Sequence, residues 1–208
     1  MGWEWRCFFP LKWIQDSSEF CAHLKKLQLD VGNLSENTAS SGRTDVYRVL
    51  RSFPDSVGLK KRGNKSNWEV KLRTSVFPEC KGLEEWEKYI IKDKDALDNL
   101  LKEKGFLSKQ QQGGEITNLE SLGIAKVRKT CTLSKCALIF DQLRLSDYNK
   151  DNTNVISHDW CSISIESSSK CKVIHALEQS EIIAFISPCE DANIGGYPTF
   201  VHNMLEMV

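Results

Sequence analysis

Basic residues alternate along three strand-like stretches of the sequence. Lys60 and Arg62 stand two apart in Gly58–Arg62, Lys71 and Arg73 in Trp68–Arg73, and Lys126 and Arg128 in Ile124–Arg128. In an extended strand, residues i and i+2 point to one face. Each stretch therefore offers a pair of cations on one side. Arginine suits bidentate contact with phosphate, and lysine supplies a point charge. Should the three faces converge, they build a positive field that only an anionic ligand relieves.

Carboxylates are threaded through the same pattern. A first strand over Trp3–Phe9 puts Glu4, Arg6 and Phe8 on one face and Trp3, Trp5, Cys7 and Phe9 on the other. Glu69 shares a face with Lys71 and Arg73. Asp141 is flanked on its face by Ile139 and Leu143. Ser162, Ser164 and Glu166 alternate with Cys161, Ile163 and Ile165. Across these faces cations outnumber carboxylates. One Lys-x-Arg pair alone reads as a solvated face. Three pairs with Glu69 and Glu166 embedded among them shift the reading towards a shared cavity without deciding it on spacing alone. Surface placement on an unrelated α+β fold is the plain alternative.

Alternating, β-rich segments must position these groups. Arg43–Leu50 is β-prone, with Arg43, Asp45 and Tyr47 on one face. Asp45 and Tyr47 either line a cavity mouth or, as is more common for a tyrosine, Tyr47 packs with its hydroxyl satisfied. Gly58–Arg62 and Asn67–Thr74 flank Gly63–Ser66 as a hairpin. The stretch 82–89 reads as strand or helix. Ile116–Lys129, Thr130–Ser134, Cys136–Leu145 and Asp159–Ser167 complete the strands. Helices are expected from Ser17 to about Gln28, over Asp93–Lys104 with Gly105 as its stop, over Val173–Ile186, and from about Thr199. Polar segments 33–42, 110–114 and 150–154 read as loops. Short strands with interposed helices predict an α+β fold, a closed antiparallel barrel with helices packed outside.

Composition narrows the partners. The chain has 208 residues, 40% of them hydrophobic, and formal net charge zero. That length suits one domain over 1–208. A neutral total argues against general nucleic-acid binding. None of the eight cysteines forms a Cys-x-x-Cys pair, and no histidine stands at zinc-finger spacing. The first ten residues lack the pattern of a secretory leader, and no apolar run is long enough to span a bilayer. Cytoplasmic residence with reduced thiols is the expectation, without membrane contact.

The order of motifs resembles a known family. Glu-x-Arg-x-Phe from Glu4, Arg-Thr-Asp-Val-Tyr from Arg43, Gly-Leu-Lys-Lys-Arg from Gly58, Trp-Glu-Val-Lys-Leu-Arg from Trp68, Lys-Val-Arg-Lys from Lys126 and Trp-Cys-Ser-Ile-Ser-Ile-Glu from Trp160 look like the CYTH-like superfamily. That superfamily includes class IV adenylate cyclases, thiamine triphosphatases and triphosphate tunnel metalloenzymes. The likeness runs from Glu4 to about Phe200. It implies a barrel of about eight strands with a charged tunnel. Lys60, Arg62, Lys71, Arg73, Lys126 and Arg128 would hold the phosphates of a small triphosphate or polyphosphate, with Arg6 as a further contact. Glu4 and Glu166 would hold magnesium or manganese, and Glu69 and Glu166 would serve the hydrolysis.

The chain departs from that family pattern in two places. Active members begin Glu-x-Glu-x-Lys, whereas here Arg6 replaces the second carboxylate and either pairs with Glu4 or contacts the ligand directly. They also carry paired carboxylates in the last strand, whereas Ser162–Glu166 retains one. Binding of a triphosphate is therefore better supported than its hydrolysis, and an inactive anion-binding or scaffold protein is the alternative.

Overall fold

The computed structural model describes residues 1–31, 43–50, 52–107, 120–147 and 155–206. The expected loops at 33–42, 110–114 and 150–154 lie outside the described residues. Nine strands occur among them: β1 (Gly2–Pro10), β2 (Arg43–Val49), β3 (Val57–Arg62), β4 (Trp68–Phe77), β5 (Leu83–Ile91), β6 (Glu120–Leu133), β7 (Cys136–Asp147), β8 (Val155–Ser167) and the short β9 (Asn193–Ile194). The first eight run in the order β5-β4-β3-β2-β6-β7-β8-β1, and β1 pairs back onto β5. This closes an antiparallel barrel of eight strands, with β9 as an extra strand beside β1. Closure leaves the barrel strands without free edges.

Six α-helices accompany the barrel among the described residues: α1 (Leu11–Asp16), α2 (Ser18–Lys26), α3 (Lys94–Glu103), α4 (Lys170–Ser180), α5 (Ile182–Ile186) and α6 (Tyr197–Glu206). Local signals start two of them. The Ser17 side chain accepts from the Phe20 backbone N–H at 3.4 Å, and Asp93 accepts from Ala96 N–H at 2.8 Å. The helix expected over Val173–Ile186 is two helices, because Glu181 takes a left-handed backbone (φ 51°) between them. Likewise Lys129 and Thr130 belong to one continuous strand, β6. The ambiguous stretch after Gly82 is strand β5, and it pairs with both β4 and β1.

The outward faces of several barrel strands are apolar and covered. Trp5, Cys7 and Phe9 of β1 pack with Ile163 and Ile165 of β8 beneath Phe20, Leu24, Val173 and Leu177 of the helices. On the opposite flank, Val70 and Leu72 of β4 meet Leu97 and Leu101 of α3. A third cluster lies inside the barrel. There Phe8, Tyr47, Ile124 and Leu143 point inward against Tyr197, Phe200, Val201 and Met204 of α6. Phe8 and Phe200 stack with ring centres 4.0 Å apart. Helix α6 thus fills one end of the tunnel. Its close approach needs Gly58, where an added Cβ would lie 2.5 Å from Pro198 Cγ.

Among the described residues no helix is long and apolar enough to cross a membrane. All eight cysteines are free.

Phe200→Ala should cost about 3–5 kcal/mol of stability, the range for emptying a buried aromatic site. Urea unfolding of the two proteins checks it, and a loss under about 1 kcal/mol would show that α6 does not anchor the barrel end.

Candidate functional site

The polar face of each strand lies inside the barrel, because one period-two face of every strand must point inward. The result is a cavity of about 560 Å³ whose lining includes Glu4, Arg6, Tyr47, Lys60, Arg62, Glu69, Lys71, Lys88, Lys126, Arg128, Glu166 and Tyr197. Five members of the three basic pairs therefore converge. Arg73 is the exception. A register shift between Arg73 and Ser75 interrupts β4 there, and the guanidinium is held by Glu84 at 2.9 Å, away from the lining.

Exposure falls steadily into the cavity. The Lys88 side chain near the mouth is 49% exposed, whereas Lys126 at the α6 end is 3% exposed. Lys126 donates to the Tyr47 hydroxyl, and its ammonium lies 3.5 Å from the Tyr197 ring centre. Its nearest carboxylate contact is Asp45, at 4.0 Å. Burial drives the Lys126 pKa well below the usual lysine value, despite opposing pulls from Asp141 and Asp45. Of the two positions open to Tyr47 it takes the packed one, flooring the cavity against Tyr197 with its hydroxyl accepting from Lys126.

Most charges are compensated across strands. Arg128 grips Asp141 through two contacts of 2.7 Å. Glu69 carries three cations: Lys60 at 3.2 Å, Arg62 at 3.0 Å and Lys88 at 2.8 Å. Burial raises the Glu69 pKa, but these cations outweigh it and hold the group at about 2. For Lys60, burial dominates and lowers its pKa to about 8, with Lys71 and Arg62 adding to the effect and Glu69 opposing it.

Register places three carboxylates in a row. Glu4 on β1 lies opposite Glu84 on β5 and opposite Glu166 on β8. Such a row is unfavourable unless cations are interleaved. The chain supplies them. Arg6 Nε contacts Glu4 Oε1 at 2.7 Å and Arg6 NH2 contacts Glu166 Oε1 at 2.9 Å. Lys71 Nζ takes Glu4 Oε2 at 2.7 Å, and Arg73 takes Glu84. Burial pushes Glu4 up, but Lys71 and Arg6 hold it well below the carboxylate range.

That pairing decides whether magnesium or manganese fits. Both oxygens of Glu4 and one oxygen of Glu166 already accept from protein cations. Glu69, on β4, is saturated by its own three. Among the described residues no group of three His, Cys, Asp or Glu side chains is placed to hold a metal ion. The donor set present does not fit a divalent metal.

Three contributors were not singled out from the sequence: Glu84, Lys88 and Tyr197. Glu84, Trp86 and Lys88 alternate with period two, the signal that would have assigned their face once β5 was read as a strand. Tyr197 carried no such signal, since it reaches the site from a helix that enters the barrel end.

No family model matches the chain, and no curated protein matches it. Among solved structures, the PH1012 protein of Pyrococcus horikoshii OT3 is similar at 14% identity over 91% of this chain and 94% of its own, with a TM-score of 0.43. The PH1819 protein of the same organism is similar at 12% identity over 100% of both chains, also with a TM-score of 0.43. Likenesses this distant do not bear on ligand or chemistry.

The depressed Glu69 pKa sets an acid limit. Its usual value is 4.5 and its folded value about 2. The stability it contributes is therefore complete above about pH 4.5 and is lost as pH falls towards 2. Urea midpoints at pH 6 and pH 3 should differ less for Glu69→Gln than for the parent. Equal differences would remove Glu69 from that account.

Proposed function

We propose that the barrel cavity binds a small triphosphate-bearing compound or a short inorganic polyphosphate, and that the chain is a divergent CYTH-like protein. The observation that carries this reading is the surplus of cations in one enclosed space. Among the described residues Lys60, Arg62 and Lys88 share the carboxylate Glu69, and an arriving polyanion would favour the charged form of the buried Lys126. A polyanion relieves that surplus by replacing water at cations that have already lost part of their hydration. The narrowing cavity gives it a direction. A terminal phosphate would lie deepest, towards Lys126, Tyr47 and Tyr197, with later phosphates against Lys60, Lys71 and Arg62. The organic part, where there is one, would face the mouth near Trp3 and Lys88.

Binding rather than turnover is the better-supported activity. Hydrolysis through Glu69 and Glu166 would need both carboxylates released from their cations. A phosphate-release assay on tripolyphosphate with magnesium or manganese should stay at background. Release abolished by Glu166→Ala would instead establish a triphosphatase. With net charge zero and the cations enclosed, nucleic acid and membrane are not the partners this reading names. A cytoplasmic setting accords with the free thiols.

Calorimetry tests the ligand. Arg62→Ala should weaken tripolyphosphate binding at least about tenfold, the worth of one charge-assisted contact. Arg73→Ala should leave affinity near the parent value, since Glu84 holds that side chain off the lining. The opposite ranking would contradict the assignment.

The Lys60 pKa of about 8 sets the pH dependence. A polyanion prefers the charged amine, so affinity is greatest below pH 8 and falls as pH rises through it. The Lys60→Ala protein should show a shallower fall between pH 7 and 9. Taking the difference between the two proteins removes the ligand's own ionisation. Parallel profiles would show that Lys60 does not sense the ligand.

A further inference from the structure

We infer that the Arg6 guanidinium is the cavity's built-in counter-ion, so that the polyanion binds free of divalent metal and magnesium opposes its binding. This rests on the ligand reading above and adds the form in which the ligand is taken.

The geometry around Arg6 is enclosing. Its Nε reaches Glu4 at 2.7 Å and its NH2 reaches Glu166 at 2.9 Å. Its NH1 donates to Ser162 Oγ at 3.0 Å and lies 3.6 Å from Asp141 Oδ2. The Tyr197 ring centre lies 4.6 Å from its central carbon. Only 2% of the side chain is exposed. A guanidinium does not lose its proton at any ordinary pH, so the charge is permanent. Carboxylates from β1, β7 and β8 thus surround one fixed cation. To enter, a divalent ion would have to displace a buried arginine and leave it unpaired. It would also have to draw the oxygens in to about 2.0–2.1 Å from positions set for a planar donor.

The consequence for the ligand follows from charge. With Glu4, Glu166 and Asp141 neutralised by Arg6 and Arg128, the other lining cations, Lys71 among them, meet phosphate oxygens directly. A polyphosphate that carries magnesium presents less negative charge and a hydrated metal with no carboxylates to receive it. Metal-complexed ligand is therefore the poorer ligand.

The test uses the full chain and tripolyphosphate. Calorimetry in metal-free buffer should show binding, and excess magnesium should weaken it at least about tenfold. Manganese titrated into the protein alone, followed by electron paramagnetic resonance, should show no stoichiometric site. Arg6→Gln should expose the carboxylate row and create such a site. Tripolyphosphate binding that requires magnesium or manganese overturns the inference and leaves the ligand reading standing. Absence of binding in every buffer overturns both. Should Arg6→Gln fail to fold, the parent protein decides, since stoichiometric manganese on it contradicts a built-in counter-ion.

Discussion

A charge removed from water must meet an opposite charge or stay costly, and the interior of this barrel is arranged around that requirement. Three carboxylates stand side by side because β5, β1 and β8 are neighbours in register. Arg6, Lys71 and Arg73 rise between them and neutralise the row. On the adjoining strands β4 and β3 the balance is reversed, with Glu69 outnumbered by Lys60, Arg62 and, from β5, Lys88. One stretch of the lining is closed electrostatically and the next is left with positive charge to spare. That asymmetry turns a polar barrel into a candidate polyanion site.

Apolar packing makes the asymmetry possible. Outside, helices bury one face of β1, β4 and β8, which forces the alternate residues inward whatever their charge. Inside, α6 fills one end with Phe200 and Tyr197. The Tyr197 hydroxyl lies 3.1 Å from Asp141, so the helix ends on the same polar network that holds Arg128 and Arg6. Packing and electrostatics meet at that residue. The buried base it forms with Tyr47 is what leaves Lys126 so poorly hydrated.

Much of this was legible in the sequence because strands have a period of two. The alternations at Lys60/Arg62, Lys71/Arg73 and Lys126/Arg128 were enough to place five of those side chains on one lining. Alternation of Trp5, Cys7 and Phe9 with Glu4 and Arg6 likewise foretold both faces of β1. Position along a strand was harder to read than face. Arg73 has the right parity but stands at the edge of a register shift, where Glu84 captures it. The sequence leaves Tyr47 either at a mouth or packed, and only the structure puts it at the base, because depth depends on how far α6 enters. The break at Glu181 escaped the helical pattern altogether, since a single left-handed residue leaves the apolar spacing intact. The substitution at Arg6 was visible as a departure from the CYTH-like pattern. The pairing with Glu4 was one of two roles open to it, and what only the structure shows is that its guanidinium reaches Glu166 as well.

The central claim is that the cations on the lining hold a polyanion inside the barrel. A crystal structure of the protein grown with tripolyphosphate in metal-free buffer tests it most directly. The account predicts phosphate density within the cavity, with oxygens in contact with Lys60, Arg62 and Lys71 and the terminal phosphate nearest Lys126. Phosphate bound only on the outer surface, or these side chains turned out into solvent, would contradict it.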